Sequence, residues 1–203
     1  MAFWSQNFAV KDAGLKDPKR QFRFIVEFTG INAPEGGGAM WYAKSVAKPS
    51  FQINAAEHKY LNHTFWYPGS VTWQDVTLTL VDPVKPDMTA TFADIIQAGG
   101  YSPPADANAY RTMSKASAAA ALGTVFIIQF DAAGTEIEKW TLWNSFISDM
   151  KFGDTLQYGE DNLVELSVTL KYDWARLQVS GDSPGSAMTD GTNSKEFFGL
   201  TSS

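Results

Sequence analysis

Two segments of this 203-residue chain alternate between apolar and polar side chains, and this pattern limits the folds that the chain can adopt. In residues 21–29 one face carries Phe22, Phe24, Val26 and Phe28. In residues 163–173 one face carries Val164, Leu166, Val168, Leu170 and Tyr172. Alternation with a period of two is typical of a strand with one buried and one solvent-facing side. Such strands indicate antiparallel sheets, because both faces of a parallel sheet are usually covered.

Further strands are predicted at residues 40–46, 73–81, 125–131 and 145–152, and residues 125–142 as a whole indicate a hairpin. Residues 47–69 are less regular. Pro49 and Pro68-Gly69 bracket them, and proline disfavours a central strand. Because Lys59–Tyr67 is nevertheless rich in strand formers, we expect 47–69 to be a long extended hairpin or loop.

Two helices interrupt the strands. Asp87 is placed to cap the first, whose apolar positions have helical spacing and which Gly99-Gly100 would end. The second is predicted near residues 112–122, where four consecutive alanines favour a helix and Gly123 would end it. Seven or eight antiparallel strands with one flanking α-helical insertion predict a mainly β fold, either a sandwich or a barrel.

The length is close to that of one elaborated domain. We predict an N-terminal extension at 1–20, a β-sandwich domain at 21–177 and a polar, Gly/Ser-rich tail at 178–203 without a regular pattern. The N-terminus lacks the pattern of a signal peptide, and no apolar run is long enough to span a bilayer. We therefore expect no membrane association and no export.

The composition excludes several kinds of chemistry. The chain has no cysteine and two histidines, against 28 aromatic residues (7 Trp, 7 Tyr and 14 Phe). The absence of cysteine rules out disulfide frameworks, Cys-ligated zinc and thiol catalysis. The net charge of −6 argues against tight binding to DNA phosphates, and all of this net charge lies after residue 100. Two interpretations of this charge are open. One is a solvated face, and the other is a surface that faces a polyanion without binding it.

The sequence contains few side chains that could form a catalytic or metal site. His58 and His63 would face opposite sides of one strand, so a shared metal site is not expected. Glu136 and Glu138 would share a strand face, but they adjoin a hairpin turn where solvated charge is usual. No phosphate-binding glycine loop and no nucleophile elbow occurs. We predict that the protein is not an enzyme and has no catalytic residues, metal or cofactor.

The order of features in residues 135–175 resembles the closing part of the tail tube proteins of contractile-tailed (T4-like) bacteriophages. The matching residues are Trp140, Asn144, Phe146, Gly153, Leu156, Tyr158, Asp161, Asn162, Glu165, Val168, Thr169, Leu170, Tyr172 and Asp173. The first half is similar too, with AKSVAKPSFQI at 43–53, FWYPG at 65–69 and WQDVTLTLVD at 73–82. The resemblance covers roughly residues 20–175. The chain departs from the group in its extra length at both ends.

The resemblance implies a structural subunit that forms stacked hexameric rings. The inner strands of the copies would join into one continuous barrel, which makes a conduit for DNA ejection inside a contractile sheath. The implied partners are further copies of the chain, the tail sheath protein, the tape-measure protein, and the baseplate and tail terminator proteins. DNA would pass through without specific binding. The implied location is the tail of the virion, assembled in the host cytoplasm.

The resemblance also marks residues for assembly. The hairpin at 47–69 resembles the arm that reaches a neighbouring ring in this group, so the expected contact residues are Lys44, Lys48, Phe51, His58 and Lys59. The candidate acidic surface residues, for which the bore is one location, are Asp149, Asp154, Glu160, Asp161 and Glu165. Two alternatives stay open. One is a baseplate tube initiator or an Hcp-like tube protein of a contractile injection system, and the other is a carbohydrate-binding β-sandwich module.

Overall fold

The computed structural model describes residues 18–31, 39–40, 42–103, 112–159, 161–180 and 194–198. Within these ranges the chain forms strands in three antiparallel sheets and two helices. The strands are β1 (Phe24–Phe28), β2 (Ala39–Met40), β3 (Ala43–Val46), β4 (Phe51–Tyr60), β5 (His63–Trp73), β6 (Val76–Val81), β7 (Val125–Phe130), β8 (Glu136–Trp143), β9 (Phe146–Lys151), β10 (Glu165–Lys171), β11 (Trp174–Ser180) and β12 (Ser194–Phe197). The helices are α1 (Met88–Ala98) and α2 (Lys115–Leu122). The prediction of a mainly β, antiparallel fold with a helical insertion is confirmed.

The strands form one six-stranded sheet in the order β12-β11-β8-β7-β1-β2 and one four-stranded sheet in the order β3-β6-β10-β9. Strands β4 and β5 form a separate two-stranded sheet. A single core cluster contains residues from both larger sheets and from the helices. Its fully buried members include Val26, Phe28, Leu78, Phe92, Leu142 and Val168. The apolar faces of the two larger sheets therefore pack on each other.

Helix α1 begins and ends where the sequence predicts, whereas α2 begins at Lys115 rather than near residue 112 and ends before Gly123 as predicted. The Asp87 side chain accepts a hydrogen bond from the Ala90 amide at 2.9 Å and caps α1. The Ser114 side chain caps α2 in the same way. Phe92 of α1 packs edge-on against Phe28 of β1, with ring centroids 6.1 Å apart. This contact holds the insertion against the core.

Glycine allows α2 to approach β1 closely. The Gly30 amide donates a hydrogen bond to the Leu122 carbonyl at 3.1 Å. Gly123 has φ of 72°, and a Cβ atom at this position would lie 2.4 Å from the Gly30 nitrogen. A side chain at either position would push the helix away from the sheet.

Several predicted boundaries differ from the structure. Phe22 precedes β1 and is 75% exposed, so it does not share the buried face of Val26 and Phe28. The predicted strand at 40–46 is divided between β2 and β3, which belong to different sheets. Val164 precedes β10 and is 40% exposed. At the ends of strands the alternation continues into residues that the neighbouring sheet does not cover.

The hairpin and the tail also differ from the predicted picture. Pro68 lies inside β5 and is paired with Ala55, which a two-stranded sheet allows because both of its strands are edges. After residue 177, where no regular pattern was predicted, β11 continues to Ser180 and Ser194–Phe197 pairs with it as β12. Residues 1–17 of the predicted extension at 1–20 and the glycine run at 36–38 lie outside the described residues.

Candidate interaction surfaces

The hairpin of β4 and β5 is the most exposed regular element that the structure describes. Each of its residues except Trp73 is exposed. Large apolar side chains lie along its whole length, and Leu61 at the turn is 87% exposed. The others are Phe51, Ile53, Tyr60, Phe65, Trp66, Tyr67 and Val71. An isolated two-stranded hairpin is marginally stable in water, so a surface of this kind indicates a binding partner.

The register of the hairpin corrects the prediction for the two histidines. His58 is opposite Phe65, and Tyr60 is opposite His63. Directly paired residues share a face in an antiparallel sheet, so His58 and His63 lie on the same face together with Phe65. The prediction of opposite faces was wrong because the turn at Leu61 reverses the chain between them. Among the described residues no group of three or more His, Asp or Glu is placed to hold a metal ion.

The root of the hairpin is fixed to the core by aromatic rings. Phe51 and Trp73 are the first residue of β4 and the last of β5, and their ring centroids are 5.1 Å apart. Trp73 packs against Tyr172 at 5.9 Å. Phe198, just after β12, lies 5.8 Å from both Phe51 and Trp73. Aromatic pairs at these distances stabilise a contact beyond the area that they bury.

Tyr172 is a buried member of this root. Burial raises the pKa of its phenol to about 12, and the nearby Asp75 carboxylate acts in the same direction. The hydroxyl approaches the backbone of Ser50 but makes no well-formed hydrogen bond. Its role in the structure is therefore packing.

A second attachment of the hairpin root is an ion-pair cluster around Glu138. The carboxylate is nearly buried, with 8% of its side chain exposed. Lys48 donates hydrogen bonds to Glu138 Oε1 at 2.6 Å and to Gln129 Oε1 at 2.9 Å. Lys19 donates to Glu138 Oε2, and Trp140 Nε1 donates to Oε1 at 2.7 Å. Lys48 is three residues from the start of β4, so the cluster holds the strand that leads into the hairpin.

The environment of Glu138 favours its ionised form. Burial alone would raise the pKa of the carboxyl group. Hydrogen bonds from Lys19, Lys48 and Trp140, together with the charge of Lys48, outweigh this effect and lower the pKa to about 2. The charge is therefore present throughout the physiological range.

Glu136 and Glu138 do not lie on the same face of β8. Glu136 is opposite Phe130 and Glu138 is opposite Gln129, because the register shifts between these two residues of β7. Adjacent residues of a strand point to opposite faces, so the bulge separates the two glutamates. The prediction that they share a face was wrong. Glu138, which the sequence indicated as solvated charge, is an internal ion-pair partner.

A pocket of about 480 Å³ lies between β1, β3, β7 and β8. Lys44 and Lys48 line it together with Phe24, Glu138 and Trp140. Lys44 forms an ion pair with Glu165 of β10. The structure thus brings together two of the predicted contact lysines, each with a carboxylate partner in its own chain.

The outer face of the four-stranded sheet is polar. Its pairs across the strands include Ser45 with Thr79, Thr79 with Ser167 and Thr77 with Thr169. Its charges are paired as Lys44 with Glu165, Lys171 with Asp75 at 3.9 Å, and Lys151 with Asp154 just beyond β9. Asp149, opposite Thr169, has no ion-pair partner among the described residues. The face is therefore hydrophilic with little net charge.

The predicted contact and acidic residues do not form one cluster. Phe51 lies at the hairpin root, whereas His58 and Lys59 lie near the turn, where Lys59 pairs with Glu57 at 3.0 Å. Of the acidic set, Asp149, Asp154 and Glu165 lie on or beside the polar face, and Asp161 is exposed in the loop that follows β9. Glu160 lies outside the described residues. The intersubunit contacts of all these residues stay a prediction.

Sequence reasoning missed the residues that hold the hairpin. Trp73 was assigned to the following strand, and the role of Glu138 was not foreseen. Glu138 and Lys48 are 90 residues apart, and no local pattern relates them. For Trp73, the run of polar Gln74-Asp75 after it was an available signal of a strand end.

Comparison with protein-family models gives no match, and comparison with curated protein sequences gives none either. Solved structures with a similar fold include a chain of the anti-feeding prophage baseplate (TM-score 0.57, 15% identity, covering 80% of this chain and 97% of that chain). Another belongs to the sheath-tube complex of the extracellular contractile injection system PVC in its extended state (0.57, 18%, 81% and 94%). A third belongs to the tube terminating cap of the anti-feeding prophage (0.58, 18%, 89% and 100%).

At these identities the likeness shows the fold. Each of the three solved chains is covered almost completely, so the whole of their fold is present here. In the part of the chain that the structure describes, no helix is long and apolar enough to cross a membrane. The similar structures show that the chain has a fold found in chains of contractile injection assemblies.

Proposed function

We propose that this protein is the tube subunit of a contractile-tailed bacteriophage, forming stacked hexameric rings inside a sheath. The observation that carries the proposal is the exposed aromatic hairpin on a sandwich whose fold matches chains of contractile particles. In a monomer the apolar side chains of this hairpin would stay exposed to water, which is unusual for a soluble monomeric protein. A stack of identical copies covers it on every copy but those at one end.

The four-stranded sheet is the best candidate for the wall of the bore. Each copy would contribute β3, β6, β10 and β9, whose outer edges β3 and β9 are free to pair with neighbouring copies. Its serine and threonine side chains make the surface hydrophilic. Its lysines are neutralised by carboxylates of the same chain, so they offer no unpaired cation to a phosphate. DNA would pass such a wall without specific binding.

The hairpin would reach the adjacent ring. Its tip carries the apolar side chains of Leu61 and Phe65 beside the polar contact candidates His58 and Lys59. Its root is held by Trp73 and, through Lys48, by Glu138. An arm that is fixed at its root and exposed along its length is preorganised for binding.

The partners follow from this role. They are further copies of the chain, the sheath protein, the tape-measure protein, and the baseplate and terminator proteins. The protein would act in the virion tail after assembly in the host cytoplasm, and it would have no enzymatic activity. A second candidate is a baseplate tube initiator or an Hcp-like tube protein of a contractile injection system, because the similar structures include a baseplate chain and a chain of a sheath-tube complex.

Negative-stain microscopy and size-exclusion chromatography of the purified protein test the proposal. We expect rings or hollow tubes. A double variant Leu61→Ser/Phe65→Ser removes apolar surface from the tip and is expected to abolish tubes while leaving the circular dichroism spectrum unchanged. Val84→Ser is a matched control, because Val84 is 92% exposed and lies outside the hairpin. A protein that stays monomeric at high concentration contradicts the proposal and favours a binding module.

A further inference from the structure

The edge of the six-stranded sheet carries a composite docking site for an extended segment. Strand β12 occupies this site through four backbone pairs, which run from Leu177 opposite Phe197 to Ser180 opposite Ser194. Glu196 faces Arg176 at 3.4 Å. Phe198 then places its ring between Phe51 and Trp73 at the hairpin root. The site therefore recognises a strand with a carboxylate and, two residues later, an aromatic ring.

The occupation of this site by the chain's own segment is loose. A strand of four residues forms few hydrogen bonds. The Arg176 contact is long, and the Arg176 Nε atom is buried without a hydrogen-bond partner among the described residues. Phe198 has φ of 61°, a left-handed conformation that is unfavourable for a bulky side chain. About half of the Phe198 side chain remains exposed.

The chain length permits docking on another copy. Thirteen residues separate Ser180 from Ser194. A segment of that length spans at most about 45 Å, which is more than the diameter of a small domain. The same contacts form whether β12 docks on its own β11 or on that of a neighbour, and this is the condition under which identical chains exchange an element.

We infer that Ser194–Phe198 is exchanged between copies, so that each subunit of an assembly receives this segment from a neighbour at its β11 edge. The inference rests on the proposed self-assembly. Within a ring the site of a neighbour is available at high effective concentration. The exchanged Phe198 would brace the root of the neighbour's hairpin through Phe51 and Trp73. The exchange would thus link the contacts within a ring to the arm that contacts the next ring.

Disulfide trapping tests the exchange cleanly, because the chain has no native cysteine. Gln178 and Glu196 are directly paired and exposed, so cysteines at these positions are within disulfide reach. The full-length single variants Gln178→Cys and Glu196→Cys are mixed, concentrated, oxidised and analysed on a non-reducing gel. We expect a covalent dimer that contains one copy of each variant, as mass spectrometry of the linked peptide would report.

A matched control uses Lys139→Cys mixed with Glu196→Cys. Lys139 pairs with Gln178 from the opposite side, so it lies two strands from Glu196 and outside disulfide reach. This mixture is expected to give no dimer above the level of random collision. The double variant Gln178→Cys/Glu196→Cys reports docking within one chain as a monomer with faster migration.

The outcomes are distinct. A mixed dimer that exceeds the Lys139 control supports exchange. Closure of the double variant within single chains, without a mixed dimer, overturns it. Microscopy of the same samples reports whether rings or tubes are present. Tubes without interchain disulfides would contradict the exchange alone, whereas the absence of any assembly would contradict the proposed function.

Discussion

Lys48 Nζ lies 2.6 Å from Glu138 Oε1 and joins the strand that enters the hairpin to the inner face of the six-stranded sheet. The two residues are 90 positions apart in the chain. The carboxylate is nearly buried, whereas Lys48 is half exposed and lines the pocket beside β3. This relationship explains how an exposed arm is held in a defined position by a domain with which it shares little surface.

The first prediction concerns the pH dependence of this ion pair. Glu138→Gln is expected to lower the free energy of unfolding at pH 7 by about 1–3 kcal/mol, because charged hydrogen bonds are lost around a buried group. The pKa of Glu138 in the folded chain is about 2, below the unfolded value of 4.5. The stabilisation is therefore present above pH 4.5 and is lost as the pH falls towards 2.

Urea denaturation of the wild type and of Glu138→Gln at pH 7 and pH 3 measures this effect. The difference between them is expected to be smaller at pH 3. Glu136→Gln is the matched control, since Glu136 is on the same strand and has no ion pair among the described residues. A difference that does not depend on pH would contradict the assigned ionisation.

The second prediction concerns Tyr172. Tyr172→Phe is expected to change the free energy of unfolding by less than about 1 kcal/mol at pH 7, because the hydroxyl lacks a well-formed hydrogen bond. Tyr172→Ala is expected to cost about 3–5 kcal/mol through the cavity beside Trp73. Chemical denaturation of both variants measures the two values.

The raised pKa of Tyr172 also predicts a loss of folding stability at alkaline pH. The pKa of Tyr172 is raised from 10 to about 12, so its contribution is complete below pH 10 and is lost as the pH rises towards 12. Tyr172→Phe lacks this component. A wild type and a variant that lose stability equally between pH 10 and pH 12 would show that Tyr172 is not the group responsible.

The third prediction compares charge reversal at two lysines, one that anchors the hairpin root and one near the hairpin turn. Lys48→Glu places a second carboxylate beside Glu138 and is expected to destabilise the subunit by about 3 kcal/mol or more. Lys59→Glu lies near the exposed turn and is expected to change stability by less than about 0.5 kcal/mol. Thermal unfolding and tube yield by microscopy measure both effects. Equal losses of stability in the two variants would contradict the anchoring role of Lys48.

The fourth prediction concerns the wall of the bore. Asp149→Lys adds two positive charges per copy to a face whose other charges are paired. We expect its assemblies to retain double-stranded DNA in a salt-dependent manner, whereas wild-type assemblies do not. Asp94→Lys on the exposed side of α1 is a control with the same change of charge. Cosedimentation with DNA at low and high salt measures retention, and equal retention by the two variants would place the bore elsewhere.

Elements whose signals are local can be predicted from the amino-acid sequence. The alternation in β1 and β10 predicted buried faces, and the structure buries Val26, Phe28, Leu166, Val168, Leu170 and Tyr172. Asp87 and Gly99 mark the ends of α1 in the sequence and in the structure. The extended character of residues 47–69 predicted a long hairpin or loop, and the structure forms a hairpin of β4 and β5, which starts and ends four residues later. Such features depend on side-chain periodicity and on hydrogen bonds between near neighbours, which a single segment contains.

How these elements contact one another depends on residues that are far apart in the chain. The turn at Leu61 places His58 and His63 on one face, and a shift in register separates Glu136 from Glu138. The ion pair of Glu138 with Lys48 joins residues that no sequence period relates. Register, bulges and long-range charge pairs are set by the packing of one sheet on another, because the energy that selects them comes from partners far away in the chain.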